Sequence, residues 1–392
     1  MTDKKTIVVS VILFLLIGLL FIKLWKTSSG AVKTDIPLVN DAWYDALKAI
    51  EMDSENNPGQ LWEKAIITSW WDFGHHFKYL SNRAVTFDGG TQVTPQAHWV
   101  GKLFLSAEEE VSVRILRMLD CGGNKAFDSL TTSADTPFII NVLNQWFKKE
   151  LNVNDFAPFT ITYLNCNPPS AYVIASEDMI GKAGVWAHFG SWDFNRADMW
   201  INVKKMPKDQ GISYILSHSY AKTYNDSEQL WMQLQTMTES DANNWIAPWP
   251  GYAGVNDCKK DTCMTDFNMT GVPQDPVDLV ARGRMSSYEC IRCSNGVEIV
   301  DDEVTYNGLH PQSFIYLHDG KLIEKKYNNS GLGYSIILTP DNKIITATPD
   351  LASSLFTKLF FMNATGLKHF ELLTKTQGID GFKIFVYKVK WQ

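Results

Sequence analysis

Residues 66–90 read IITSWWDFGHHFKYLSNRAVTFDGG, and the adjacent tryptophans at 70 and 71 set the problem. Successive side chains of an extended segment point to opposite faces, so one indole can enter a core while the other needs a separate reason. The apolar run 65–69 reads as a buried strand that delivers Trp70, Trp71 and Asp72 to a loop at its end. An indole N–H only donates, an ionised carboxylate only accepts, and a hydroxyl does both. If the chain bends so that these three side chains converge, a freedom Gly74 would supply, they can satisfy every hydrogen-bonding position of one hydroxyl. Such a site rejects ligands that lack the hydroxyl, because its buried polar groups then go unpaired. The ligand implied is a Ser or Thr side chain, or a sugar. The plainer reading has both indoles in the core and Asp72 capping a turn.

The flanking pattern alternates helices and strands. Asn40 or Asp41 caps a helix through AWYDALKAI, and ENNPG ends it. Thr94-Pro95 opens a helix to about Leu105, and Ser106 with Glu109 fits a capping box for the next, over 107–119. Asp135 and Pro137 open another, IINVLNQWFKKEL. AYVIA at 171–175 is a short strand. Ser176 then caps a helix running to about His188, with Glu177 and Asp178 at its positive dipole end. Met179, Lys182 and Trp186 stand at i, i+3 and i+7, one face of that helix. Beyond residue 300, SFIYLHDGKLIEKKY, GYSIILT, NKIITAT and FKIFVYKVKW alternate as strands, with one helix at about 351–362 among them.

The amino terminus and the cysteines place the chain. Residues 7–22, IVVSVILFLLIGLLFI, are uncharged; Lys4, Lys5, Lys23 and Lys26 flank them and Trp25 suits an interface. That pattern predicts a membrane anchor over 1–26, a cleaved secretory signal being the alternative. Either sends the bulk of the chain to the extracytoplasmic side. Cys258, Cys263, Cys290 and Cys293 cluster in a Gly- and Asp-rich stretch, where two disulfides are the first reading and a zinc site the second. Cys121 and Cys166 read as buried apolar fillers. A net charge of −7 offers no basic surface for nucleic acid. The expected fold is mixed α+β. It comprises an anchor (1–26), a linker and helix (27–64), a central mixed domain carrying WWDFG (65–240), a Cys-containing insert or loop (241–300) and a β-rich carboxy-terminal domain (301–392).

SWWDFG, the Asn82-Arg83 pair and GKLFLSAEEE at 101–110 together resemble the signature block of oligosaccharyltransferase catalytic subunits of the single-subunit archaeal and bacterial type. The similarity continues through SEDMIGKAGVWAHFGSWDF at 176–194, SLFTKLFFMNATGLKHF and the terminal KIFVYKVKW. In that family the block is WWDYG, so Phe73 stands for a tyrosine. The resemblance implies that Trp70, Trp71 and Asp72 grip the hydroxyl of the Ser or Thr in an Asn-x-Ser/Thr acceptor. A second family motif would place Met179, Lys182 and Trp186 beside that pocket. Met179 matches one version of it and Lys182 the other, which leaves in doubt the apolar contact with the Thr methyl. The family implies a lipid-linked oligosaccharide donor and a divalent metal, Mn or Mg, held by loops of a many-spanning membrane part. One hydrophobic run and no Asp-x-Asp predict acceptor recognition by this chain, with no cofactor of its own and catalysis only through a polytopic partner. A membrane-anchored, non-catalytic peptide- or glycan-binding module is the alternative.

Overall fold

The computed structural model describes residues 17–26, 39–123, 136–148, 166–265, 286–300 and 302–391. Residues 17–26 are helical, with Phe21 and Trp25 exposed. Among the described residues no helix is long and apolar enough to cross a membrane, and most of the apolar run expected to anchor the chain lies outside them.

Among the described residues, thirteen strands form two sheets. The first three are β1 (Ile66–Thr68), β2 (Ala84–Val85) and β3 (Ala171–Ser176). Next come β4 (Tyr252–Thr265), β5 (Ser286–Cys293), β6 (Val297–Val300), β7 (Glu303–Tyr306) and β8 (Ser313–His318). The remainder are β9 (Lys321–Lys326), β10 (Ser335–Leu338), β11 (Lys343–Ala347), β12 (Phe370–Gln377) and β13 (Lys383–Val389). The first sheet runs β12-β13-β3-β1-β2, and β1 pairs parallel with both β2 and β3. The second, of eight strands, runs β7-β6-β5-β4-β11-β10-β8-β9.

The first sheet is buried on both faces, which is why AYVIAS reads as unbroken apolar sequence. Tyr172 and Ile174 point to one face, against Trp43, Leu47 and Ile50 of the helix Asp41–Ser54 and Phe77 of the helix Gly74–Ser81. Asn40 caps the first of these helices, accepting from Trp43 N at 3.2 Å. Ala171, Val173 and Ala175 point the other way, into the larger core. That core collects the helices Gln96–Leu105, Glu109–Gly122, Ala183–Gly190 and Leu355–Phe360, together with Ile315, Ile337 and Ile345 from one face of the second sheet. Mixed α+β architecture with a β-rich carboxy-terminal half is therefore observed.

Three local expectations are corrected. Residues 252–265 and 286–300, expected within an insert or loop, include strands β4, β5 and β6, and β4 lies inside the second sheet against β11. The capping box does not form: Glu109 instead accepts from Lys368 N at 2.8 Å and His369 N at 2.7 Å, tying the helix to the approach to β12. The helix expected to run unbroken from Ser176 is two short ones, Asp178–Gly181 and Ala183–Gly190, broken at Lys182.

Gly101 and Gly190 mark the closest helix crossing. A Cβ on Gly101 would lie 2.3 Å from Trp186 O, and one on Gly190 would lie 2.4 Å from Gly101 C. These neighbours are backbone and cannot swing aside. Gly101→Ala should therefore lower stability by about 1–3 kcal/mol or more, read as a drop in denaturant midpoint at unchanged slope.

Candidate functional site

Parallel pairing brings two loops together. Ile66 lies opposite Ala171 and Thr68 opposite Val173, so the carboxyl ends of β1 and β3 open on the same edge of the sheet. Residues 70–72 leave one end and residues 177–182 the other. Trp70 stays extended (φ −67°, ψ 146°) and the chain then tightens into a single 3₁₀ turn, Trp71–Phe73. Gly74 is ordinary right-handed helix (φ −55°), so freedom at positive φ is not what it supplies. It supplies room: a Cβ there would sit 2.5 Å from Asp88 Cβ.

The turn separates the two indoles. Trp70 is buried, edge-on to Phe87 at 5.2 Å between ring centroids. Trp71 and Asp72 remain half-buried at the surface. Among the described residues neither indole N–H meets an acceptor. Phe73 packs against Trp43 at 5.0 Å and lies beneath the Lys182 ammonium, 5.3 Å from its ring centroid.

Lys182 joins the two loops. Its Nζ donates to Asp178 Oδ2 at 2.8 Å and stands 3.1 Å from Asp72 Oδ2. The second contact is an ion pair, and the buried Oδ2 of Asp72 keeps acceptor capacity for a further donor. Burial works against the Lys182 charge, but the Asp178 carboxylate, and after it Asp72, outweigh burial and raise its pKa above the ordinary lysine value. A hydroxyl arriving at Asp72 can donate to the carboxylate and accept from the ammonium or an indole N–H.

The other expected pocket residues lie below this surface. Met179 is buried, with its Sδ 3.7 Å from Ser69 Oγ. Trp186 is fully buried and donates its indole N–H to Met179 O at 2.8 Å. Both support the segment that carries Lys182, and the break at Lys182 is what turns its side chain away from them. Asp178 and Phe73 complete the surface cluster. Asp178 is four residues before Lys182, an ion-pair spacing legible in sequence.

The cysteines are oxidised. Cys258 and Cys293 face each other across β4 and β5 and are bonded, with Cα atoms 4.0 Å apart. Cys290 is also in a disulfide, so the zinc reading of this cluster is set aside. Cys263 lies in β4, its side chain outside the described set. Cys121 and Cys166, expected as apolar fillers, are bonded to each other with Cα atoms 6.1 Å apart. The end of the helix Glu109–Gly122 lies beside the approach to β3, where Arg117 donates to Cys166 O at 3.2 Å. Among the described residues no three His, Cys, Asp or Glu side chains converge as metal ligands, so these residues do not fit a divalent-metal centre.

Residues 63–196, which contain both loops, match the family model of the STT3/PglB/AglB core domain. Over that stretch the chain is similar to the core domain of oligosaccharyltransferase catalytic subunits. It is 31% identical over 211 residues to the dolichyl-phosphooligosaccharide-protein glycotransferase of Methanococcus voltae, a match covering 49% of this chain and 22% of that protein. The protein of the same name from Methanocaldococcus jannaschii is 31% identical over 216 residues, covering 50% of this chain and 22% of that protein. These matches thus span 22% of the length of either relative. The crystal structure of the C. jejuni PglB C-terminal domain aligns with a TM-score of 0.43 at 11% identity, over 88% of this chain and 99% of that one.

Beneath the core-domain loops lies a polar relay with no sequence signal. Thr68 Oγ1 and Thr86 Oγ1 are 2.6 Å apart, and Thr86 donates to Asp120 Oδ1 at 3.1 Å. Asp120 Oδ2 is buried without a donor. Burial pushes the Asp120 carboxyl well above the usual carboxylate range, against the smaller opposing effect of the Thr86 bond. The folded chain thus keeps this proton at pH values where the unfolded chain has released it. Stability then falls as pH rises above the ordinary carboxylate range. Asp120→Asn should melt above the wild type at pH 7, and the gap should close as pH drops toward 3.

Proposed function

We propose that this chain carries the acceptor-recognition part of an oligosaccharyltransferase for protein N-glycosylation. The observation supporting this is the buried Oδ2 of Asp72, which stands 3.1 Å from Lys182 Nζ and next in sequence to half-buried Trp71, at the carboxyl ends of two parallel strands. Ligands gather at such strand ends because loops from neighbouring strands converge there. The hydroxyl of a Ser or Thr two residues past the acceptor Asn supplies the further donor. Lys182 stands where an incoming hydroxyl needs a second partner, and its aliphatic stem offers apolar contact to a Thr methyl. Of the expected pair of indoles, Trp71 is the one poised at the surface. Trp70 anchors the turn from inside.

Transfer itself we assign to a membrane-embedded part, in a polytopic companion that presents a lipid-linked oligosaccharide and holds the Mn or Mg ion. Membrane anchoring through the apolar run 7–22, with the bulk of the chain extracytoplasmic, belongs to the same proposal. On this reading the chain alone binds acceptor and performs no chemistry.

Peptide binding tests the reading. The purified chain should bind an Asn-x-Thr peptide and lose at least about tenfold in affinity for Asn-x-Ala, the worth of one hydrogen bond to a charged group. Asp72→Ala and the milder Asp72→Asn should each remove that discrimination, with folding checked by circular dichroism. Equal affinity for both peptides in the wild type would sink the proposal, and so would glycan transfer by the chain alone.

A further inference from the structure

A cavity of about 360 Å³ lies where the two sheets meet, on the far side of the segment that carries Lys182. Its walls come from Glu177 and Ile180, from β4, from β11 and the turn before it, from the end of the helix Leu355–Phe360, and from strands β12 and β13. The walls are fixed to one another. Glu177 N donates to Lys383 O at 3.0 Å, and Lys383 N returns a bond to Glu177 Oε2 at 2.9 Å.

Three lysines line this cavity: Lys343, Lys375 and Lys383. Lys343 stands 3.8 Å from Asp341. Lys375 lies over the face of buried Phe385, 4.7 Å from its centroid. Among the described residues neither Lys375 nor Lys383 pairs with a carboxylate through its ammonium. The lining therefore carries a cationic surplus, three lysines against Asp341 and Glu177. It also holds acceptors: the Asn363 amide and the remaining oxygens of the two carboxylates, the Thr339 hydroxyl being bonded to Asp341 Oδ1 at 2.6 Å and accepting from Lys343 N at 3.0 Å. An aromatic wall completes it. Phe361 is half-buried and held edge-on by Phe360 at 5.0 Å and Tyr252 at 5.4 Å.

We propose that this cavity binds an anionic sugar, a pyranose bearing a carboxylate such as a hexuronate. The single surplus positive charge takes the carboxylate. The ring hydroxyls each need a donor and an acceptor, which the lysines, Asn363 and Asp341 supply together. The C–H face of the ring packs on Phe361, whose π face is electronegative. An acidic peptide side chain would use the cations and leave the acceptors idle. The volume also suits a small ligand better than one side chain. The site shares no side chain with the Asp72 cluster and goes beyond acceptor recognition.

Titration of the full chain by calorimetry, with methyl β-glucuronide as probe, tests this. The glucuronide should bind saturably, and methyl β-glucoside at least about tenfold more weakly. The double variant K375Q/K383Q, altered only at solvent-reaching lysines, should lose about tenfold for the glucuronide yet bind the Asn-x-Thr peptide as before. Phe361→Ala should weaken both glycosides alike. Asp72→Ala should leave glucuronide binding intact, so failure of the acceptor reading and failure of this one are separable. Equal binding of the two glycosides, no saturable binding of either, or tighter binding of an acidic peptide at this site would each overturn the proposal.

Discussion

The parallel pairing of β1 with β3 is the constraint on which the candidate site depends. β1 is three residues long and hydrogen-bonded on both sides, so its register has no freedom once Ile66 and Thr68 meet their partners. Because the two strands run the same way, the residues that follow them emerge together although a hundred residues separate them in sequence. Burial on both faces enforces this. Ile67 contacts the Trp43 side, while Val173 and Ala175 contact the larger core, and a slip of one residue would exchange the two faces. The antiparallel neighbour β13, paired to β3 from Ile384 to Lys388, then brings its first residues to the same edge.

Electrostatics at that edge follow from a break in regular structure. Were residues 178–190 one helix, Lys182 would share a face with Met179 and Trp186 and point into the core. A buried, unpaired ammonium costs far more than a helix interruption. The backbone at Lys182 leaves helical geometry (φ −98°, ψ 5°), and the side chain reaches Asp178, Asp72 and the face of Phe73 instead. A tyrosine ring, as in the WWDYG form of the block, would present the same face to the ammonium, so the substitution retains the cation–π contact. Trp186 takes the interior position and satisfies its own N–H on Met179 O.

What could be read in the sequence was what depends on neighbours in the chain. A cap at Asn40 or Asp41 and short strands at about 65–69 and 171–175 were visible in local pattern, and the structure has Asn40 as the cap with strands at 66–68 and 171–176. So was the juxtaposition of polar and aromatic residues at 70–73, because donors and acceptors can be counted without coordinates. Long-range pairing could not be read. Tyr252–Thr265 looked irregular because its partners, β11 and β5, begin tens of residues away. Glu109 carries the signal of a capping box, but the free N–H groups of Lys368 and His369 compete for its carboxylate and win. Asp120 and the Cys121–Cys166 bond likewise depend on where the helix Glu109–Gly122 ends in space. The direction of each indole was beyond reach for a different reason: a single 3₁₀ turn reassigns faces that an extended strand would have alternated.

Residues 177–182 serve both surfaces described above, and this sets their spacing. Glu177 and Ile180 line the cavity between the sheets, while Lys182 faces Asp72. Ile180 and Lys182 are two residues apart, so their Cα atoms are separated by no more than about 7 Å. A ligand in the cavity and a hydroxyl at Asp72 would therefore sit within a few residues' reach of each other along an extended chain. The segment is held by the backbone bond from Glu177 N to Lys383 O and by the fully buried Trp186 below. Neither contact changes when the surface side chains do. Affinity at the two places can then be altered separately, because the scaffold between them is fixed by main-chain hydrogen bonds and core packing rather than by the residues that would meet ligand.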